Sequence, residues 1–102
     1  MLELRPNCEL CDRDLPPQSV VARICTYECM FCADCADTVL HDVCPNCGGN
    51  LQPRPIRPEN AWRPGLSLDH QPASDKRVNT RRSQEDIAAH VARIRDIDPA
   101  DR

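Results

Sequence analysis

All eight cysteines of this 102-residue chain lie between Cys8 and Cys47. The order is Cys8-x2-Cys11, thirteen residues, Cys25-x3-Cys29-x2-Cys32-x2-Cys35, eight residues, and Cys44-x2-Cys47. Two cysteines separated by two residues fit one tight turn and aim both sulfurs at one ion about 2.3 Å away. The chain has only three aromatics, Tyr27, Phe31 and Trp62, and 40% hydrophobic residues, so it cannot build a large core. Short domains of this kind depend on metals, disulfides or partners. The pattern excludes two evenly folded domains and a large enzyme with a deep cleft. It predicts one small cross-linked module followed by a cysteine-free extension.

Disulfides require an oxidising compartment. The opening residues carry Glu3 and Arg5 and contain no apolar run of signal-peptide length. No stretch approaches the roughly 20 apolar residues of a spanning helix. The expectation is therefore a cytoplasmic protein with no membrane contact, where thiols stay reduced and cysteine clusters hold metal. Eight thiolates make two tetrahedral sites of four, the coordination of structural zinc. Iron is the second choice, because Cys44-Pro45-Asn46-Cys47-Gly48 is similar to a rubredoxin knuckle.

Three pairings are open to eight ligands in this order. A nested one is disfavoured, because the four inner ligands would strain around one ion. A sequential one joins Cys8, Cys11, Cys25 and Cys29, then Cys32, Cys35, Cys44 and Cys47. A crossed one joins Cys8, Cys11, Cys32 and Cys35 as site 1, and Cys25, Cys29, Cys44 and Cys47 as site 2. The crossed scheme is preferred, because it ties distant segments together in a chain with little core. His41, His70 and His90 are not needed as ligands. No paired carboxylates, nucleophile elbow or phosphate-cradling glycine loop appears, so the chain is read as non-catalytic.

Positions 8 to 47 resemble a RING-type pattern, with Cys29 where most RING domains have histidine. Leu10 before the second ligand and Pro45 in the last knuckle also match. The opening Leu2-Glu3-Leu4-Arg5-Pro6-Asn7-Cys8 and the run Phe31-Cys32-Ala33-Asp34-Cys35-Ala36 look more narrowly like domain of unknown function 1272, a bacterial family of short cysteine-rich proteins. The resemblance covers roughly residues 1 to 52. It implies a small metal-bound α+β fold, a RING-like treble-clef cross-brace with two zinc ions, a short β-hairpin and one short helix. In ubiquitin-ligase RING domains, the positions matching Leu10 and Pro45 line a shallow groove for the conjugating enzyme. The chain departs from the ligase pattern in lacking a tryptophan in residues 36 to 43 and an arginine after the last ligand. Both departures argue against ligase-like transfer.

Residues 1–52 form the expected zinc module. Residues 20 to 27 read as strand, residues 28 to 31 as a turn or second strand, and Cys32 to His41 as a short helix. Leu4, Leu10, Val21, Ile24, Tyr27, Phe31, Ala36, Val39, Leu40 and Leu51 form the expected core. Residues 53–82 contain five prolines and seven basic against three acidic residues, and read as a flexible Pro/Arg-rich linker. Residues 83–98 read as an amphipathic C-terminal helix with Ser83 as cap and Ile87, Val91 and Ile94 in one stripe. That helix docks on the module, pairs with a second copy as a homodimer, or folds on a partner.

Three functions follow in order. The first is a protein–protein interaction or adaptor module, with a groove at Leu10 and Pro45 or a partner helix at Ile87, Val91 and Ile94. The second is nucleic-acid binding through the basic linker and Trp62. The third is a RING-type ligase-like scaffold for a ubiquitin-like conjugating enzyme.

Overall fold

The computed structural model describes residues 1–102. Its centre is a three-stranded antiparallel sheet in the order β2-β1-β3, with β1 at Ala22–Ile24, β2 at Met30–Cys32 and β3 at Gln52–Pro53. β1 pairs with β2 in the register Ala22↔Cys32, Arg23↔Phe31 and Ile24↔Met30. It pairs with β3 through Arg23↔Pro53 and Ile24↔Gln52. Pro53 lacks an N–H to donate, and it stands on an edge strand where none is required. The hairpin was expected from the β-branched run, but the strand is shorter than residues 20 to 27. Cys25 and Cys29 occupy the connecting loop, and Cys25 N–H donates to the Cys29 carbonyl across 3.3 Å.

Helix α1, Ala33–Thr38, follows β2 directly. The thiol sulfur of Cys32 caps it, accepting from Cys35 N–H at 3.5 Å. The helix ends early because His41 and Asp42 turn to positive φ. Their turn lets the Asp42 carboxylate accept Leu51 N–H at 2.8 Å. Helix α2, Gln84–Ile94, starts at Ser83, whose hydroxyl accepts Asp86 N–H at 3.1 Å. A 3-10 turn, Pro99–Asp101, closes the chain. No helix is long and apolar enough to cross a membrane.

Phe31, Leu4, Leu15, Met30, Leu40 and Val43 are the largest fully buried apolar side chains. Two expected core residues lie outside: Tyr27 is 73% exposed and Val39 46%. Tyr27 belongs to the Cys25–Cys29 loop, whose geometry serves the sulfurs. Leu15, read as loop by composition, enters the core because Leu15 N–H donates to the Pro6 carbonyl at 2.7 Å and turns the segment inward.

The extension differs most from expectation. Residues 53–82, read as a flexible tether, run along the module in irregular, hydrogen-bonded conformation. Asn7 exchanges two hydrogen bonds with the Val78 backbone, at 2.9 and 3.1 Å. Ser74 N–H donates to the Glu3 carbonyl, and Thr80 N–H to the Glu9 carbonyl. Arg77 pairs with Asp12 and Asp14. The strap leads α2 onto the module, where Ile87 and Val91 are buried in the core and Ile94 packs against it. The apolar stripe is thus turned inward onto the chain's own core.

Candidate metal centres

The two ends of the module build their sulfur pairs in the same way. Asp12 N–H donates to the Cys8 carbonyl at 2.9 Å, and Gly48 N–H to the Cys44 carbonyl at 2.8 Å. Each of these i to i+4 bonds closes a turn around a Cys-x2-Cys unit. The closing residue takes positive φ in both, 65° at Asp12 and 81° at Gly48. Glycine reaches that region without strain, and aspartate is among the few other residues that tolerate it. Backbone amides then face the sulfurs. Tyr27 N–H lies 3.3 Å from Cys25 Sγ, and Gly49 N–H 3.4 Å from Cys47 Sγ.

Tertiary structure gathers these pairs into two clusters. The sulfurs of Cys8, Cys11, Cys32 and Cys35 all lie within 4.8 Å of one another. Those of Cys25, Cys44 and Cys47 do likewise. Cys29 is not within that radius of all three, but its charge state is set first by Cys44 and also by Cys25, which places it beside the second group. No disulfide joins any of the eight. The fit to a metal can be tested on one distance. A tetrahedral ion with sulfur ligands at about 2.3 Å sets them about 3.8 Å apart. Cys11 Sγ and Cys32 Sγ, from segments 21 residues apart, stand 3.7 Å apart.

The protonation of the sulfurs is uneven. Burial pushes the Cys25 thiol up to about 11. Cys29 is drawn down to about 5, first by the Cys44 thiol that donates to it; burial opposes this, and Asn46, Cys25 and Arg5 reinforce it. Cys44 rises in turn, as that donor and by burial. Burial also raises Cys8 and Cys35. A buried cluster of this kind cannot hold four negative charges unaided, and a divalent cation can replace the protons.

The remaining expected site residues separate. Leu10 is half-buried and lines a cleft of about 460 Å³ with Cys11, Cys35, Val39, Gln84, Ile87 and Ala88. Pro45 is buried and does not line it. The reason is α2, which lies over the last knuckle: His90 Nε2 is 3.1 Å from the Cys44 carbonyl, and Gly48 faces Ile94 and His90. The groove expected at Leu10 and Pro45 is therefore replaced by one walled by Leu10 and α2. Val39, expected in the core, helps to line it.

The basic residues of the extension are largely engaged. Arg54 is 4% exposed. It donates to the carbonyls of Arg5, Leu15 and Pro16 at 3.1, 3.3 and 2.8 Å. Burial lowers its pKa, and its Nε has no partner. Arg57 donates to the carbonyls of Gln71 and Leu2, both at 2.7 Å. Trp62 is exposed. Sequence reasoning missed Asn7 and Glu9, which are buried polar residues flanking Cys8. Burial raises the Glu9 carboxyl even though Met30 N–H donates to it. Asn7 stands in the run that carries the family resemblance, but nothing in that run assigned it a role, and for Glu9 position beside a ligand was the only signal.

The sequence profile of DUF1272, described as a protein of unknown function, matches residues 1–57. A protein of Rhizobium meliloti (strain 1021) described as uncharacterized is 59% identical over 78 residues, which cover 76% of this chain and 86% of that protein. No solved structure matches the chain.

Proposed function

The chain belongs to the DUF1272 family, and from that premise we propose that it is a non-catalytic zinc protein whose metal-organised knot presents a docking cleft to a partner protein. Two zinc ions sit in crossed sites, one held by Cys8, Cys11, Cys32 and Cys35 and the other by Cys25, Cys29, Cys44 and Cys47. The arrangement is RING-like, with knuckles from distant segments braced across β1 and β2. The convergence of Cys8 and Cys11 with Cys32 and Cys35 carries this reading. Zinc with four thiolates has no open position and no redox chemistry, so its work is structural. With every cysteine engaged, no thiolate is left as a nucleophile.

The cleft between Leu10, Val39 and Ile87 supports the interaction role, because it leaves apolar surface exposed beside a rigid site. Arg54, Arg57 and Arg77 hold carbonyls and carboxylates of the protein itself, which favours protein docking over phosphate contact. Native mass spectrometry of the full chain, purified without added metal, tests the premise. The expected result is a monomer carrying two ions of zinc mass. One ion, or iron, would overturn it.

A further inference from the structure

Glu9 lies between the first two ligands, Cys8 and Cys11, yet its side chain reaches out of that knuckle. It is 4% exposed. One oxygen, Oε2, accepts Met30 N–H at 2.9 Å and Arg5 Nη1 at 3.3 Å. Met30 stands between Cys29 of one cluster and Cys32 of the other, and its carbonyl accepts Glu9 N–H at 3.0 Å. The other oxygen, Oε1, accepts Asn46 Nδ2 at 3.3 Å. Asn46 lies inside the last knuckle, between Cys44 and Cys47, and the same Nδ2 is 3.4 Å from Cys29 Sγ. Arg82 Nε donates to Asn46 Oδ1 at 3.1 Å, which fixes the orientation of the amide. A residue of the first knuckle thus touches, through its carboxylate, both the β2 segment shared by the two clusters and the last knuckle.

The placement is costly by itself. A carboxylate buried beside the cysteine clusters loses its hydration, and the nearby Cys29 sulfur opposes its charge. Only the donors from Met30, Arg5 and Asn46 offset this, and two of these residues border the second cluster, Met30 next to Cys29 and Asn46 between Cys44 and Cys47. A group whose burial is tolerated in one site only after the other is built couples the two reciprocally. From this geometry we propose that Glu9, acting through Asn46, is the positioning residue that makes the two metal sites fill together. The inference rests on the two-zinc reading above.

The experiment is a native mass spectrometric titration of the metal-free full chain with zinc below two equivalents, which reads the fractions carrying no, one and two ions. The wild-type chain should pass from no ions to two with few one-ion species. Glu9→Gln keeps the shape and removes the charge, and Asn46→Ala removes the exposed far end of the contact. Each should raise the one-ion fraction at half-saturation about fivefold, from roughly a tenth to about half, which corresponds to the loss of a coupling of about 100-fold, toward the upper end of the typical range. Leu15→Ala is the control, because it weakens the core away from this contact and should lower the melting temperature without raising that fraction. If Glu9→Gln does not fold, Asn46→Ala still decides. A wild-type chain that never binds two ions would overturn the zinc reading itself. Two ions bound cooperatively by the wild type and both variants alike would overturn only the role of Glu9. An equal rise in Leu15→Ala would do the same, since any destabilisation would then suffice.

Discussion

Two residues show how the knot is held between its sulfurs. Arg54 is a buried cation whose two terminal nitrogens donate to three carbonyls from the lead-in and from residues 15–16, while its Nε has no partner. Replacing it with methionine keeps the apolar stem and leaves those carbonyls without their donor. Hydrogen bonds to a charged group contribute about 1.5–3 kcal/mol each, so Arg54→Met should cost at least about 2 kcal/mol. Denaturant unfolding of the metal-loaded protein measures it, and an unchanged midpoint would refute the role. Gly48 closes the last knuckle at positive φ, where a side chain costs about 1–2 kcal/mol. A Cβ there would meet Ile94 at only 3.4 Å, an ordinary contact, so the loss in Gly48→Ala should come from the backbone alone. Gly48 was visible in the sequence as the end of the rubredoxin-like run Cys44-Pro45-Asn46-Cys47-Gly48, which marked a knuckle but not the sign of its φ. Asp12 makes the same turn and was not legible, since aspartate has many other uses. Arg54 was read as one charge of a linker, because the carbonyls that bury it come from residues 5 to 16.

At the scale of elements, local signals located the pieces and tertiary contacts set their ends. Ser83 and the Ile87, Val91 and Ile94 stripe marked α2 in the sequence, and the cap and the stripe are where they were expected, though the helix ends at Ile94 and does not run to residue 98. Its docking surface was not legible, because an apolar stripe does not say what it covers. Strand β3 was missed altogether: two residues containing a proline carry no strand pattern, and only pairing with β1 creates the element. An 11-residue helix is marginal alone, so α2 depends on its dock more than on its cap. Ser83→Ala should cost about 1 kcal/mol. Ile87→Ala should cost about 2–5 kcal/mol, because it empties a buried position. Helical circular dichroism and thermal melting of the two variants check the order. A larger loss in Ser83→Ala would mean that α2 is held by its own turn and not by the module.

For the whole molecule, the strap and α2 make the metal sites a concern of every residue. The 74–80 strap is fastened to Glu3, Asn7, Glu9, Asp12 and Asp14, all within or beside the first knuckle. α2 rests on the last knuckle through His90, and Arg102 donates to the carbonyls of Asp42 and Gly48 at 2.9 and 3.2 Å. If metal organises these two turns, as proposed, an extension anchored on them loses its order when the metal is removed. A chelator should therefore abolish the signal of α2 along with that of the module, in one transition. Retention of helical signal and dispersed amide resonances after metal removal would defeat this expectation. Acid should act in the same direction. The loaded protein holds eight thiolates without protons, whereas released cysteines bind protons below an ordinary pKa of about 8.5. The unfolded state then binds more protons than the folded one, so stability rises with pH across that range and falls on acidification. The midpoint of acid unfolding should move to lower pH as free zinc is raised, because added metal competes with protons for the same sulfurs. A midpoint indifferent to zinc would mean that the sulfurs do not hold the fold together.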